Sequence, residues 1–227
     1  MFNTGFGLLF VVVNFILVLI AYRQFGKTGL MVWIAISTIL ANIQVLKGIE
    51  IFGMHATLGN TLYGSIFLAT DILSEKYGYN EAKRSVYLGF FSAIVLLITM
   101  QMALVFVPLD DPFALLVQES FELIFSFSGR IVLASLVAYY TSQLLDIAIY
   151  RRIKEKLSDD RFLWVRNNVS TLLSQAIDTI IFVSIAFIGM PYNLFDIMIT
   201  TYILKLIIAV LDTPFLYIAK RISPIID

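Results

Sequence analysis

Cysteine is absent from the 227 residues, histidine occurs once, and only 14% of the side chains are charged. No disulfide, thiolate metal site or cysteine nucleophile is therefore possible. The one histidine, His55, cannot assemble the imidazole clusters of catalytic zinc or haem sites, and no HExxH helix occurs, so neither a metal nor a cofactor is expected. The chain also lacks a GxxxxGKS/T loop for hydrolysing ATP and a GxSxG nucleophile turn, which argues against an enzyme. A soluble domain carries roughly a quarter charged residues, well above the share found here. Sixteen Lys and Arg balance 16 Asp and Glu, so net charge gives no reason to expect a nucleic acid partner.

Apolar residues fill the space left by these absences. They make up 59% of the chain, and mean hydropathy is +0.89. A helix that crosses the hydrocarbon core needs about 20 mostly apolar residues. Runs of that kind predict spans near 6–22, 30–51, 57–73, 83–107, 125–150, 169–189 and 197–217. The third is the shortest and is interrupted by Gly59, Asn60 and Gly64. The expected fold is an all-α polytopic membrane bundle of about seven transmembrane helices, forming a single domain over 1–227. The first cation, Arg23, follows the first apolar run instead of preceding it, which predicts a retained helix and not a cleaved signal peptide.

Lys and Arg accumulate in cytoplasmic loops. Arg23, Lys27, Lys76, Lys83, Arg84, Arg151, Arg152, Lys154, Lys156, Arg161, Arg166, Lys220 and Arg221 all fall between alternate spans or after the last. The opposite loops, including the one with Asp110, Asp111, Glu119 and Glu122, carry no cation. The N-terminus is thus expected outside and the C-terminus inside. Removing the third span would put one cation-rich group outside, so the charge pattern favours seven crossings.

Three cations, Lys47, Arg130 and Lys205, remain within the predicted spans, where a central charge costs roughly 2.5–3.5 kcal/mol on insertion scales. Lys205 and Asp178 both fall near the middle of their spans and are expected to pair. In the sixth span Thr171, Ser174, Gln175 and Asp178 recur at the helical period and form one polar stripe. Lys205 and Asp212, seven apart, share a face of the seventh. Asn42 follows Thr38 by four in the second, Asp71 closes the third, and Gln143 and Asp146 lie toward the inner end of the fifth. By expected depth, Arg130 and Lys47 lie toward the outside, Asn42, Asp178 and Lys205 near the centre, and Asp71, Asp146 and Asp212 toward the inside. Each has a structural reading as well: Lys47 and Glu50 can snorkel and pair, and Asp71, Glu75 and Asp146 can bond loop cations.

Four segments, FLATDILSEKYG at 67–78, GRIVLASLVAYYTSQLLD at 129–146, RNNVSTLLSQAIDT at 166–179 and KLIIAVLDTPFLY at 205–217, give the chain its resemblance to a known family. In this order they resemble the queuosine precursor transporter family, a branch of the vitamin uptake transporters. The likeness covers a core of 30–218, with helix 6–22 as a possible addition. Relatives often carry proline before the phenylalanine of the third-span motif, where this chain has Ile66 before Phe67.

The resemblance implies import of 7-cyano-7-deazaguanine and 7-aminomethyl-7-deazaguanine across a bacterial or archaeal cytoplasmic membrane, for salvage into tRNA modification. A guanine-like edge presents a ring N–H and an amino group in parallel, which one carboxylate accepts together. Asp178 is the first candidate for that role. Asn42 and Gln175 suit the carbonyl and pyrrole sides, and Lys205 can donate to the carbonyl or hold Asp178 ionised. Asp71, Arg130, Gln143 and Asp212 complete the candidate set. Uptake of another nucleobase-like or vitamin-like solute, or service as the substrate-binding subunit of a larger complex, is the alternative function. A homodimer and an external energising partner are both compatible with the sequence.

Overall fold

The computed structural model describes residues 2–126, 129–189, 191 and 193–226, apart from the side chain of His55. It is an all-α membrane protein with helices α1 (Phe2–Gln44), α2 (Leu58–Lys76), α3 (Tyr79–Val105), α4 (Pro112–Phe125), α5 (Gly129–Lys156), α6 (Leu163–Phe187) and α7 (Leu194–Arg221). Strands β1 (Gly48–Ile51) and β2 (Met54–Thr57) form one antiparallel hairpin between α1 and α2. By length and composition α1, α3, α5, α6 and α7 can each cross a membrane.

The 43 residues of α1 are two limbs, because Gly26 at φ 53°, ψ −136° leaves the helical region for one that glycine enters freely. The limbs double back on each other. The Phe52 amide donates to Thr4 Oγ1 at 3.1 Å, and Gly7 lies against Ile51, so the start of the first limb meets the chain beyond the second. These limbs correspond to the first two predicted spans.

The second predicted span, 30–51, runs too far. Its helix ends at Gln44, because Phe52 (φ 53°) and Gly53 (φ 72°) form a turn with two positive φ angles that closes the β-hairpin. Lys47 is exposed in the connection to β1, beyond the end of the helix. His55 lies on β2. The region read as a loop beyond 107 contains α4. Asp111 caps it by accepting from the amides of Phe113 (3.0 Å) and Ala114 (2.9 Å), with Pro112 at the first helical position.

Helix α2 is the centre of the bundle, packing against α1, α3, α5 and α7. Its small residues let the neighbours approach. A side chain at Gly59 would meet the Ala41 carbonyl at 2.6 Å, and one at Gly64 would strike Ile208 of α7. Trp33 Nε1 donates to Ser65 Oγ at 3.1 Å across the α1–α2 contact. Helix α5 packs on α6, and α6 on α7. The faces turned outward are apolar, as Phe91, Met102, Leu133, Leu173 and Val210 illustrate, and suit lipid.

Candidate functional site

Polar side chains inside the bundle occur at three levels. The first surrounds a cavity of about 250 Å³ between α2, α5, α6 and α7, just under the range usual for small-molecule pockets. Asp178 and Lys205 form an ion pair in its wall, and Ser142 Oγ donates to Asp178 Oδ1 at 2.9 Å. The expected pairing of the central charges is therefore present. An ionised carboxylate has about four lone-pair sites, so two bonds leave Asp178 able to accept more. Tyr63, Phe182 and Phe187 supply aromatic wall, and Asn60, Ser135, Thr200 and Thr201 supply polar groups. Tyr63 stands edge-on to Tyr139, ring centroids 6.2 Å apart. The cavity extends to Ala56 and Thr57 of the hairpin.

The second level lies between this pair and the cation-rich end of the bundle. Asp71, Gln143, Asp146 and Asp212 are fully buried there. Ser174 Oγ donates to Asp146 Oδ1 at 3.0 Å, and Asn167 Nδ2 to Asp212 Oδ1 at 2.7 Å. Gln175, Thr171 and Asp212 line a cavity of about 10 Å³, which Lys205 also borders. The α6 stripe thus faces inward along its whole length, since Thr171, Ser174, Gln175 and Asp178 are all buried.

At the third level Glu75 gathers charges from three other helices. Arg166 donates to it twice, from Nη2 at 2.8 Å and Nε at 3.1 Å, Lys220 donates at 2.9 Å, Lys154 lies at 3.2 Å, and the Tyr150 hydroxyl donates at 2.9 Å. Lys220 also pairs with Asp160. Burial opposes ionisation of Glu75, but the hydrogen bonds of Arg166 and Lys220 and the charges of Lys154 and Arg166 outweigh it. They hold the carboxyl down at about 2, against an ordinary 4.5.

Of the eight predicted residues Asp178 and Lys205 line the main cavity, Gln175 and Asp212 line the small one, Asp71 and Gln143 are buried at the second level, and Arg130 and Asn42 stand further off. Arg130, at the start of α5, donates through Nε and Nη2 to the carbonyls of Ile185 and Ile188, where a cation caps the C-terminus of α6. Asn42 sits in the last turn of α1, its amide donating to the Thr38 carbonyl at 2.8 Å. It reaches the cavity only through Ser135, whose hydroxyl donates to Asn42 Oδ1 at 3.3 Å. Sequence reading passed over Asn60, Tyr63, Ser135 and Phe182. Asn60 and Tyr63 had a signal in their spacing, one turn apart in the least apolar span.

Residues 57–219 match the family described as "Putative vitamin uptake transporter". The chain is 44% identical over 226 residues to the "Probable queuosine precursor transporter" of Bacillus subtilis, an alignment covering 99% of this chain and 97% of that protein. It is 28% identical over 174 residues to the "Queuosine precursor transporter" of Escherichia coli, covering 75% of this chain and 74% of that one. A "Probable queuosine precursor transporter" of Haemophilus influenzae is 28% identical over 152 residues, 66% of this chain and 59% of its own length. No solved structure matches the chain. A multi-pass bundle with its polar residues turned inward suits a carrier of the bacterial cell membrane, and the chain belongs to the queuosine precursor transporter family, a branch of the vitamin uptake transporters.

Proposed function

We propose that this protein imports 7-deazaguanine precursors of queuosine, 7-cyano-7-deazaguanine and 7-aminomethyl-7-deazaguanine, through the cavity at Asp178 and Lys205. The observation that carries the reading is a buried ion pair set in an aromatic-walled cavity of the size a bicyclic base needs. The ring N–H and amino group of the base donate in parallel to Asp178, and Lys205 donates to the ring carbonyl. Tyr63 or Phe182 offers a stacking face. Gln175 and Asp212 lie beneath the pair, and Asn42 orients Ser135 from behind. Arg130 supports the fold by capping α6. The names of the relatives supply the substrate class.

In this reading the chain crosses the membrane seven times, the two limbs of α1 and the buried α2 each counting as one crossing. The hairpin end faces outside and the cation-rich end the cytoplasm. The cavity reaches the hairpin end while the Glu75 cluster ties α2, α5, α6 and α7 together at the other. That is the outward-facing arrangement of an alternating-access carrier, with its site near the midplane.

Proteoliposomes holding the purified protein are expected to take up radiolabelled 7-cyano-7-deazaguanine saturably. Neither saturable uptake nor binding would remove the reading. Because the chain has no cysteine, topology has a direct test. Lys47→Cys is expected to react with an impermeant maleimide on intact cells, and Lys156→Cys only after permeabilisation. The reverse pattern would invert the proposed orientation.

A further inference from the structure

Asp71 of α2, Asp146 of α5 and Asp212 of α7 are three fully buried carboxyl groups at the level between the Asp178–Lys205 pair and the Glu75 cluster, and none has an ion-pair partner among the described residues. The nearby cations are already engaged. On the inner side Arg166, Lys154 and Lys220 pair with Glu75, and on the outer side Lys205 pairs with Asp178. Desolvating an unpaired carboxylate costs several kcal/mol, so three of them cannot all be charged at this level. Among carboxyl groups that lack a cation, one can donate to another only when it carries a proton, and Asp71 Oδ1 and Oδ2, Asp146 Oδ2 and Asp212 Oδ2 all stand without a donor among the described residues.

The surroundings suit a proton that comes and goes. Ser174 donates to Asp146 and Asn167 to Asp212, which holds those two groups in place, while neither oxygen of Asp71 has a donor among the described residues. Tyr150 donates its hydroxyl to Glu75, one turn beyond Asp71 on α2. Gln143, one turn before Asp146 and fully buried, has both amide atoms without a partner among the described residues. The Asp212 Oδ2, Thr171 Oγ1 and Gln175 Oε1 atoms are likewise unpartnered, and their residues line the cavity of about 10 Å³ beside Lys205. That space is close to the minimum for one water molecule, and these polar walls give it the partners it needs. A water there would connect Lys205 of the ion pair with Asp212.

We propose that Asp71 and Asp146 share an exchangeable proton, relayed through Asp212 and the small cavity to the Asp178–Lys205 pair, and that this proton drives accumulation of the substrate. The inference rests on the transport reading above. The proton binds while the cavity is open to the outside and leaves to the cytoplasm when the Glu75 cluster separates.

The test uses proteoliposomes and uncharged 7-cyano-7-deazaguanine in sodium-free buffer. One-to-one coupling to a gradient of one pH unit, acidic outside, is expected to accumulate the base about tenfold. Addition of the base without an imposed gradient is expected to alkalinise the outer medium. In Asp146→Asn the gradient-driven accumulation is lost while counterflow of preloaded base continues. Wild-type accumulation that ignores the pH gradient, or follows a sodium gradient instead, while counterflow persists, overturns the inference and leaves the transport reading intact. Absence of wild-type counterflow removes both. The wild-type measurements decide the matter even if Asp146→Asn does not fold.

Discussion

Replacing Asp178 with asparagine keeps the volume of the side chain and removes the charge that Lys205 and Ser142 now engage. A hydrogen bond to a charged group contributes about 1.5–3 kcal/mol, and a base that donates twice to Asp178 makes two of them. Asparagine offers one acceptor oxygen and turns an NH₂ toward the second donor, so at least one bond is lost and a donor clash replaces it. The expected loss is about 3–6 kcal/mol, a weakening of roughly 100-fold to 10,000-fold. Lys205 is left as an uncompensated buried cation, a change that costs about 3–5 kcal/mol when one partner of a buried pair is removed. The two effects separate experimentally. Titration calorimetry of 7-cyano-7-deazaguanine against detergent-solubilised protein reads the first, and thermal unfolding reads the second. The double variant Asp178→Leu, Lys205→Met is expected to recover most of the lost stability, because apolar replacement of a buried pair is often neutral, yet not to bind. An Asp178→Asn protein that folds and binds within threefold of wild type would show that this carboxylate does not hold the base.

Lys205→Ala is expected to abolish uptake, while Lys47→Ala, exposed in the turn before the hairpin, leaves it unchanged; equal effects would mean that burial does not separate the two. Glu75 has a depressed folded pKa, so the stability it contributes is present above its ordinary 4.5 and is lost as pH falls through about 2. With allowance for the solvent around Lys154 and Lys220, about 1–2 kcal/mol of pH-dependent stability is expected to disappear in Glu75→Gln, narrowing its unfolding difference from wild type as pH falls toward 2. A difference independent of pH over that window would refute the assignment. Gly26→Ala places a side chain at φ 53°, ψ −136° and is expected to destabilise the protein by about 1–3 kcal/mol in thermal unfolding, and no change would mean that the limbs of α1 do not depend on that turn.

Long apolar runs were legible, and so was the pairing of Asp178 with Lys205, because an intramembrane charge has few alternatives to a partner. The inward face of α6 was legible for the same reason. Local backbone chemistry was harder to read. Ile49 and Ile51 extend the second apolar run, yet the left-handed pair Phe52 and Gly53 turns those residues into strand. Asp111 and Pro112 are a helix-start signal, but α4 was hidden by the polar residues on either side of it. Arg130 illustrates a different limit. Its position in an apolar run suggested a ligand group, whereas its target is the carbonyl end of another helix, which only tertiary structure brings near.

Helix α2 shows why hydropathy understates a central helix. Hydropathy reports lipid exposure, and α2 is enclosed by four other helices, so it need not be apolar all round. Asn60, Gly64, Phe67, Asp71 and Glu75 follow one another at intervals of three or four and share one face. Asn60 borders the main cavity, Gly64 and Phe67 border the small one, Asp71 belongs to the buried carboxyl layer, and Glu75 anchors the charge cluster at the cation-rich end. A single rigid helix therefore touches every level between the cavity and the cation-rich end. Any rotation of α2 that parts Glu75 from Arg166 also moves Asp71 relative to Asp146 and Asn60 relative to the cavity. The residues that made this helix the hardest to recognise are those that link the cavity, the carboxyl layer and the Glu75 charge cluster.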